Sequence, residues 1–324
     1  LLGAQFLFVA FGALVLMPIL CGLDISVALF TAGLGTLIFQ LICRQKVVPI
    51  FLASSFAFIA PISFAVSKWG LPVAMGGVFF AGLVYSAFSF FVKIKGKSFI
   101  DKFLPPIVVG PVIMTIGLVL SPSAVSMAMA NGDMLKNYQI LNPNFSQNDA
   151  MIIAGISLLV TLLCIMFAKG MLKLIPILCG IAAGYIISYF YGIIDFSPVK
   201  EAPWFRVPNF TAPKFELDAI LYMIPVVIAP IIEHIGNVVA ISNVTNYDFT
   251  KKPGLHKTLL GDGIATSVAA LLAGPPCTTY AEVTGAVRLT KAFNPAIMTW
   301  SAFTAILLAF VGKLGALIAR SEEH

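Results

Sequence analysis

Two carboxylates stand in stretches that are otherwise almost wholly apolar. Glu233 lies in ILYMIPVVIAPIIEHIGNVVAI and Glu282 in LLAGPPCTTYAEVTGAV. An acid at membrane depth costs roughly 2.5 kcal/mol or more, so it faces a cavity, a partner or a proton. Such a carboxyl can donate or accept a hydrogen bond at a ligand and can carry a proton. The plainer alternative is an acid bonded to a neighbouring helix. That alternative weakens when two acids share Pro- and Gly-broken segments.

The residues around them sharpen this. Pro225 and Pro230 interrupt the segment that carries Glu233, and Pro removes a backbone donor while freeing a carbonyl one turn back. Glu233 and Asn237 are four apart and share a helix face. His234 points about 100° away, which suits a packing or interfacial group. Pro275 and Pro276 end a helix, and Cys277 to Glu282 has no helical period. The piece is expected to be extended and to lead into a helix that opens near Glu282 or Val283. Ala53 to Phe58, ahead of Pro61, should do the same. Extended backbone at this depth must be covered by protein or line a cavity. Two facing extended pieces can satisfy each other as short antiparallel strands. Unpaired N–H groups at the helix starts can meet a ligand's carbonyls. Two carboxyls, two sets of backbone donors and the rings of Phe56 and Tyr280 suit a small, flat, uncharged ligand with alternating N–H and C=O groups. Asp262 is a second proton candidate, although a cap or interhelical bond beside Gly261 and Gly263 is the favoured reading of it.

These groups need a membrane-spanning frame. The 324 residues are 59% hydrophobic and 10% charged, with mean hydropathy +0.99; a soluble domain averages about 25% charged. Apolar windows long enough to cross a bilayer fall near 3–21, 24–43, 71–92, 104–121, 150–168, 174–194, 217–242, 257–273 and 295–318. Two shorter ones, near 50–66 and 275–290, are broken by polar residues and Pro. The expectation is eleven crossings in an all-α polytopic membrane protein.

The net charge of +6 does not point to nucleic acid, because the basic residues sort by side. With the N-terminus in the cytoplasm, 13 of the 20 basic residues, in clusters at 44–46, 93–102, 169–173, 251–257 and 288–291, fall inside, and Lys68, Lys136, Lys200, Arg206, Lys214, Lys313 and Arg320 fall outside. Asp24, Asp133, Asp149, Asp195, Glu201, Glu216 and Asp218 fall outside. This agrees with the positive-inside rule. Cys21, Cys43, Cys164, Cys179 and Cys277 have no paired spacing and are expected to be free thiols, without a metal site. No Walker A, GxGxxG or HExxH motif occurs, and no nucleophile–base pair or metal cluster suggests an enzyme. A channel would want a continuous polar stripe, whereas here the polar residues cluster at one depth.

The chain also repeats itself. A shift of 224 residues lays Gly12 on Gly236 and Ser54-Ser55-Phe56-Ala57 on Thr278-Thr279-Tyr280-Ala281. With a slip of four, Gly33 and Gly35 fall on Gly261 and Gly263. An odd number of crossings separates the copies, so they run in opposite senses across the membrane. Inverted repeats with interrupted segments in corresponding positions point to a secondary-transporter site. The same shift carries the end of the last span onto the end of the fourth. The second repeat is therefore expected to be incomplete, with about three helices beyond it; the chain also opens without Met.

At these residues the chain resembles the nucleobase–ascorbate transporter (nucleobase:cation symporter 2) family, and within it the bacterial uracil-transporting branch. The stretches FLASSFAFIAPISF (51–64), FLPPIVVGPVIMTIGL (103–118), IIEHIGNVVAISN (231–243), KPGLHKTLLGDGIAT (252–266), TTYAEVTGAVRLTK (278–291) and VGKLGALI (311–318) carry the resemblance. It implies two inverted sevens of spans, with short β-strands in spans 3 and 10. It further implies a core domain from 1–95 and 201–324 and a gate domain from 96–200. Carried over by position, Glu233 and Glu282 would bond the nucleobase, the N–H groups of Phe56 and Ala281 would meet its carbonyls, and Ser55 and Tyr280 would line the pocket. Where many relatives have His one turn after the first Glu, this chain has Asn237. Asn237 is polar but cannot titrate, so proton coupling would rest on Glu233. Ala281 replaces a Gly and Val283 an Asn. The absence of a purine-type Gln-Asn favours a pyrimidine.

The resemblance thus implies proton-coupled uptake of uracil across the bacterial inner membrane by an elevator-type movement of core against gate. No cofactor is implied beyond the coupling proton. The implied partners are uracil or a related nucleobase and the lipid bilayer, with a homodimer left open. A xanthine or urate symporter of the same family is the nearer rival. An anion carrier of the sulfate-transporter type would want cationic or neutral donors, which two Glu oppose.

Overall fold

The computed structural model describes residues 2–96 and 106–319. Lys97, Lys102 and Arg320 of the sorted charges, and residues 104–105 of the fifth span, lie outside them. The chain divides into two compact units, one of residues 1–116 and 207–310, the other of 117–206 and 311–324. The expected boundaries at 95 and 200 compare with 116 and 206, and residues 311–319 group with 117–206.

In the first unit, α1 (Leu2–Val9) and α2 (Phe11–Leu20) form one apolar pair bent by 43°. α3 (Ile25–Ile42) follows, opened by Asp24, whose carboxylate accepts from Ser26 N at 2.7 Å. Strand β1 (Leu52–Ser54) leads through a single 3-10 turn, Phe56–Phe58, into α4 (Ile59–Trp69) and then α5 (Leu71–Lys95). α6 (Pro106–Ala128) carries the chain onward. After residue 207 the pattern recurs. α11 (Leu217–Met223) passes through a 3-10 segment at Pro225 into α12 (Ile228–Thr245), followed by α13 (Leu255–Leu271), β2 (Cys277–Thr279), α14 (Ala281–Thr290) and α15 (Ala296–Ala309). The second unit holds α7 (Asp133–Leu141), α8 (Gln147–Phe167), α9 (Pro176–Phe190), α10 (Ser197–Glu201) and α16 (Gly312–Ala319).

Each stretch expected to span has a helical counterpart, but the helix at 174–194 is shorter than its window and the windows at 217–242 and 295–318 are broken within. Five of the described helices are long and apolar enough to cross a membrane, or six with the bent pair. The window at 295–318 is split. α15 ends at Ala309, Val311 bridges to Phe205, and Gly312 N donates to Trp204 O at 3.1 Å. An incoming backbone partner interrupts a run that composition alone reads as one helix. Similarly, α14 opens at Ala281, one residue ahead of the expected start, because the strand ends at Thr279 and Tyr280 takes the N-cap.

β1 and β2 pair antiparallel, with Leu52 opposite Thr279, Ala53 opposite Thr278 and Ser54 opposite Cys277. The 224-residue shift maps this register onto itself. It carries the pair Ala53 and Thr278 onto Cys277 and Ser54. It carries Leu52 and Thr279 onto Pro276 and Ser55, where Ser55 N donates to Pro276 O at 2.9 Å. The helices obey the same relation: α13 packs on α5 as α3 packs on α15.

Small residues allow these crossings. A Cβ on Gly82 would stand 2.8 Å from Gly263 O, and one on Gly263 would stand 2.7 Å from Ser86 N. In lipid, where apolar side chains gain nothing by leaving the tails, such close backbone approach is a main source of helix association. In the second unit Gly180 and Gly184 of α9 meet Thr161 and Ser157 of α8 in the same way. Gly263→Val is expected to lower the melting midpoint in detergent by at least about 3 °C, from overpacking against backbone. Gly155→Val, with open space around it, should leave the midpoint within about 1 °C.

Candidate functional site

The site assembles in the first unit around the paired strands. A two-stranded sheet exposes two backbone edges, and inside a membrane protein every peptide group on them needs a partner. α13 supplies the partners along β2. Thr266 Oγ1 accepts from Cys277 N at 3.2 Å and donates to Cys277 O at 3.0 Å. One turn earlier, Asp262 Oδ2 accepts from Thr279 N at 3.3 Å. The match is geometric: four residues of helix rise about 6 Å and two residues of strand about 6.7 Å. Asn237 of α12 completes the edge, donating through Nδ2 to Thr279 O at 2.6 Å. On the other strand Leu52 N donates to Thr36 Oγ1 at 2.9 Å.

Pinned in this way, the strands deliver their ends to one place. Phe56 and Tyr280, equivalent under the repeat, meet edge to face with ring centroids 6.0 Å apart and planes at 80°. Such a pair contributes about 0.5–1.5 kcal/mol beyond burial. Ser55 and Tyr280 precede the two helical openings, and neither caps the turn with its side chain. The first N–H groups of each helix are therefore left to other acceptors. Ser55 is buried with its hydroxyl unpartnered among the described residues, as are the hydroxyls of Ser54, Thr278 and Thr284. Ala281 and Glu282 are exposed at the opening of α14, whereas Tyr280 is buried. Glu233 is partly exposed, and its Oε2 is enclosed without a hydrogen-bond partner among the described residues. α12, which carries Glu233, packs against α14, which opens with Ala281 and Glu282.

Of the sequence-predicted residues, Phe56 meets Tyr280, and Asn237 and Asp262 both bond Thr279, the residue before Tyr280; two side chains take partners other than those expected. Asn237 shares the helix with Glu233, but its amide is engaged by the strand. His234 is fully buried, with Nδ1 2.7 Å from Asp262 Oδ2 and 3.3 Å from Thr279 Oγ1. It belongs to a polar network and is more than a packing group. Asp262 makes the interhelical bond that was the favoured reading, and Tyr85 of α5 adds its hydroxyl at 3.5 Å. His234 Nε2 and Asp262 Oδ1 are enclosed without hydrogen-bond partners among the described residues. The roles of Thr36, Thr266 and Tyr85 had no direct sequence signal. The spacing of Asp262 and Thr266, polar groups one turn apart in an apolar helix, is the nearest to one. All five cysteines are free, and among the described residues no cluster could hold a metal.

Paired strands flanked by broken helices, with carboxyls and rings at the break, define a membrane transporter of the inverted-repeat class. The fold is that of the transmembrane domain of BicA, a cyanobacterial bicarbonate transporter (TM-score 0.65, 14% identity, 99% of this chain and 86% of that one). It also matches SLC26A9 (TM-score 0.61, 14% identity, 99% and 56%). A family model described as the Permease family, Xan_ur_permease, matches residues 1–320, and the chain belongs to that family. It is a transporter and a membrane protein, not an enzyme. It is 56% identical over 317 residues to the probable uracil permease of Haemophilus influenzae, covering 98% of this chain and 74% of that protein. It is 44% identical over 324 residues to the uracil permease of Bacillus caldolyticus (98% and 72%). Against the uracil permease of Escherichia coli K12 the identity is 36% over 320 residues (98% and 72%).

Asn237→Leu leaves the Thr279 carbonyl buried without its donor, which costs about 1–3 kcal/mol. The variant should melt below the wild type in detergent. A midpoint equal to wild type would show that the bond contributes nothing.

Proposed function

We propose that this chain takes up uracil in symport with protons across the bacterial inner membrane, with its N-terminus in the cytoplasm. The observation that carries the reading is the Phe56–Tyr280 ring pair at two uncapped helical openings, with Glu282 in the first turn of α14 and Glu233 on α12, which packs against α14. Uracil is a flat, neutral ring with two carbonyls and two N–H groups. Its N–H groups suit the acceptor oxygens of Glu233 and Glu282. Its carbonyls suit the N–H groups of Phe56 and Ala281, and its faces suit the rings. The three relatives named as uracil permeases support the same substrate.

Proton coupling follows from one physical requirement. A carboxyl withdrawn from water is held more cheaply with its proton on, and a neutral Glu233 can both donate to a uracil carbonyl and accept from an N–H. Proton and uracil then occupy the site together, and loss of the proton toward the cytoplasm releases the base. In an elevator cycle the part containing the strands slides against the part centred on 117–206. The anion reading, suggested by fold likeness alone, is opposed by the paired carboxyls, which repel a negative substrate. A purine symporter is separable by competition.

In proteoliposomes Glu233→Gln should bind uracil but fail to accumulate it under a proton gradient. Accumulation at the wild-type level would contradict the coupling role. Glu282→Ala should abolish the thermal stabilisation that uracil gives the wild-type chain; retained stabilisation would remove Glu282 from the site.

A further inference from the structure

The His234–Asp262 pair lies behind the site, and neither residue is needed to touch a nucleobase in the reading above. Both are completely buried. Asp262 Oδ2 gathers three groups from three elements: His234 Nδ1 on α12, the Tyr85 hydroxyl on α5 and Thr279 N at the end of β2. Thr279 is the last residue of the strand, and Tyr280, Ala281 and Glu282 follow it directly. The backbone N–H of Thr279 thus lies one residue ahead of the ring, the N–H and the carboxyl of the second repeat.

We propose that Asp262, oriented by His234, is a positioning residue for substrate binding, fixing Thr279 and through it the segment from Tyr280 to Glu282. The pair divides the labour of the strand edge. Thr266 holds Cys277, the end remote from the site, while Asp262 holds the end that enters it. His234 supplies the constraint that Asp262 needs. An aspartate accepting only a strand N–H could rotate about its side-chain bonds, whereas one also held at 2.7 Å by a ring fixed within α12 cannot. The role asks for an acceptor oxygen in one place, so an amide of the same shape should serve. A proton carrier, in contrast, requires the carboxyl itself.

Two readouts on the whole chain test this. Backbone hydrogen exchange of residues 279–283 does not depend on the substrate, while uracil affinity rests on the reading above. Asp262→Ala should speed exchange of that segment about tenfold and weaken uracil binding by a similar factor. Asp262→Asn should return both close to wild type. His234→Leu should behave as Asp262→Ala does, and His234→Asn, whose Nδ2 takes the place of Nδ1, should restore both; this second pair decides the matter if Asp262→Ala does not fold. Thr266→Ala should lower the melting midpoint yet leave affinity within about threefold. Unchanged exchange at 279–283 in both Asp262→Ala and His234→Leu would overturn the proposal. So would Asp262→Asn binding as poorly as Asp262→Ala, or Thr266→Ala losing as much affinity. A wild-type chain that binds no uracil would sink the substrate reading, and the exchange comparison would still judge the positioning role.

Discussion

Two short pieces of chain, Leu52–Ser54 and Cys277–Thr279, lie extended and fully buried, where their peptide groups cannot turn to water. A helix would satisfy those groups internally, but Pro275 and Pro276 stand directly before the second piece, where a helix cannot continue. Each strand therefore satisfies half of its groups on the other. The remaining half must come from side chains, and Thr36, Asn237, Asp262 and Thr266 provide them. The polar residues of α3, α12 and α13 follow from that requirement, and the site is placed where the bonded strands end.

The same constraint explains why the molecule is built twice. A strand pair that maps onto itself under the 224-residue shift gives both copies the same neighbours, so each helical opening faces its equivalent and Phe56 meets Tyr280. Symmetry stops at chemistry. Glu233 and Glu282 have Val9 and Phe58 at the equivalent positions, and Asp262 has Leu34 under the slipped match. One repeat supplies the carboxyls while both supply backbone donors and rings, which suits a ligand that presents both kinds of edge.

Much of this was legible because it is local. The Ser-Ser-Phe-Ala and Thr-Thr-Tyr-Ala tetrads, the prolines beside them and the isolated acids mark strands, breaks and site within a few residues of each other. What was not legible depends on partners far away in sequence. His234 and Asp262 are 28 residues apart, and nothing in a helical wheel says that the face about 100° from Glu233 will meet an aspartate. Asn237 read as a neighbour of Glu233 along one face, but its donor is drawn off by a strand carbonyl 42 residues on. The run at 295–318 read as one helix because hydropathy does not register that Val311 and Gly312 bond to Phe205 and Trp204.

The central claim is that the converging carboxyls, rings and backbone donors recognise a pyrimidine base. Equilibrium binding of radiolabelled uracil to the purified chain, with unlabelled uracil and xanthine as competitors, tests it most directly. Saturable binding displaced by uracil and untouched by xanthine is the predicted result. Displacement by xanthine at the same concentration, or no saturable binding of uracil, would contradict it.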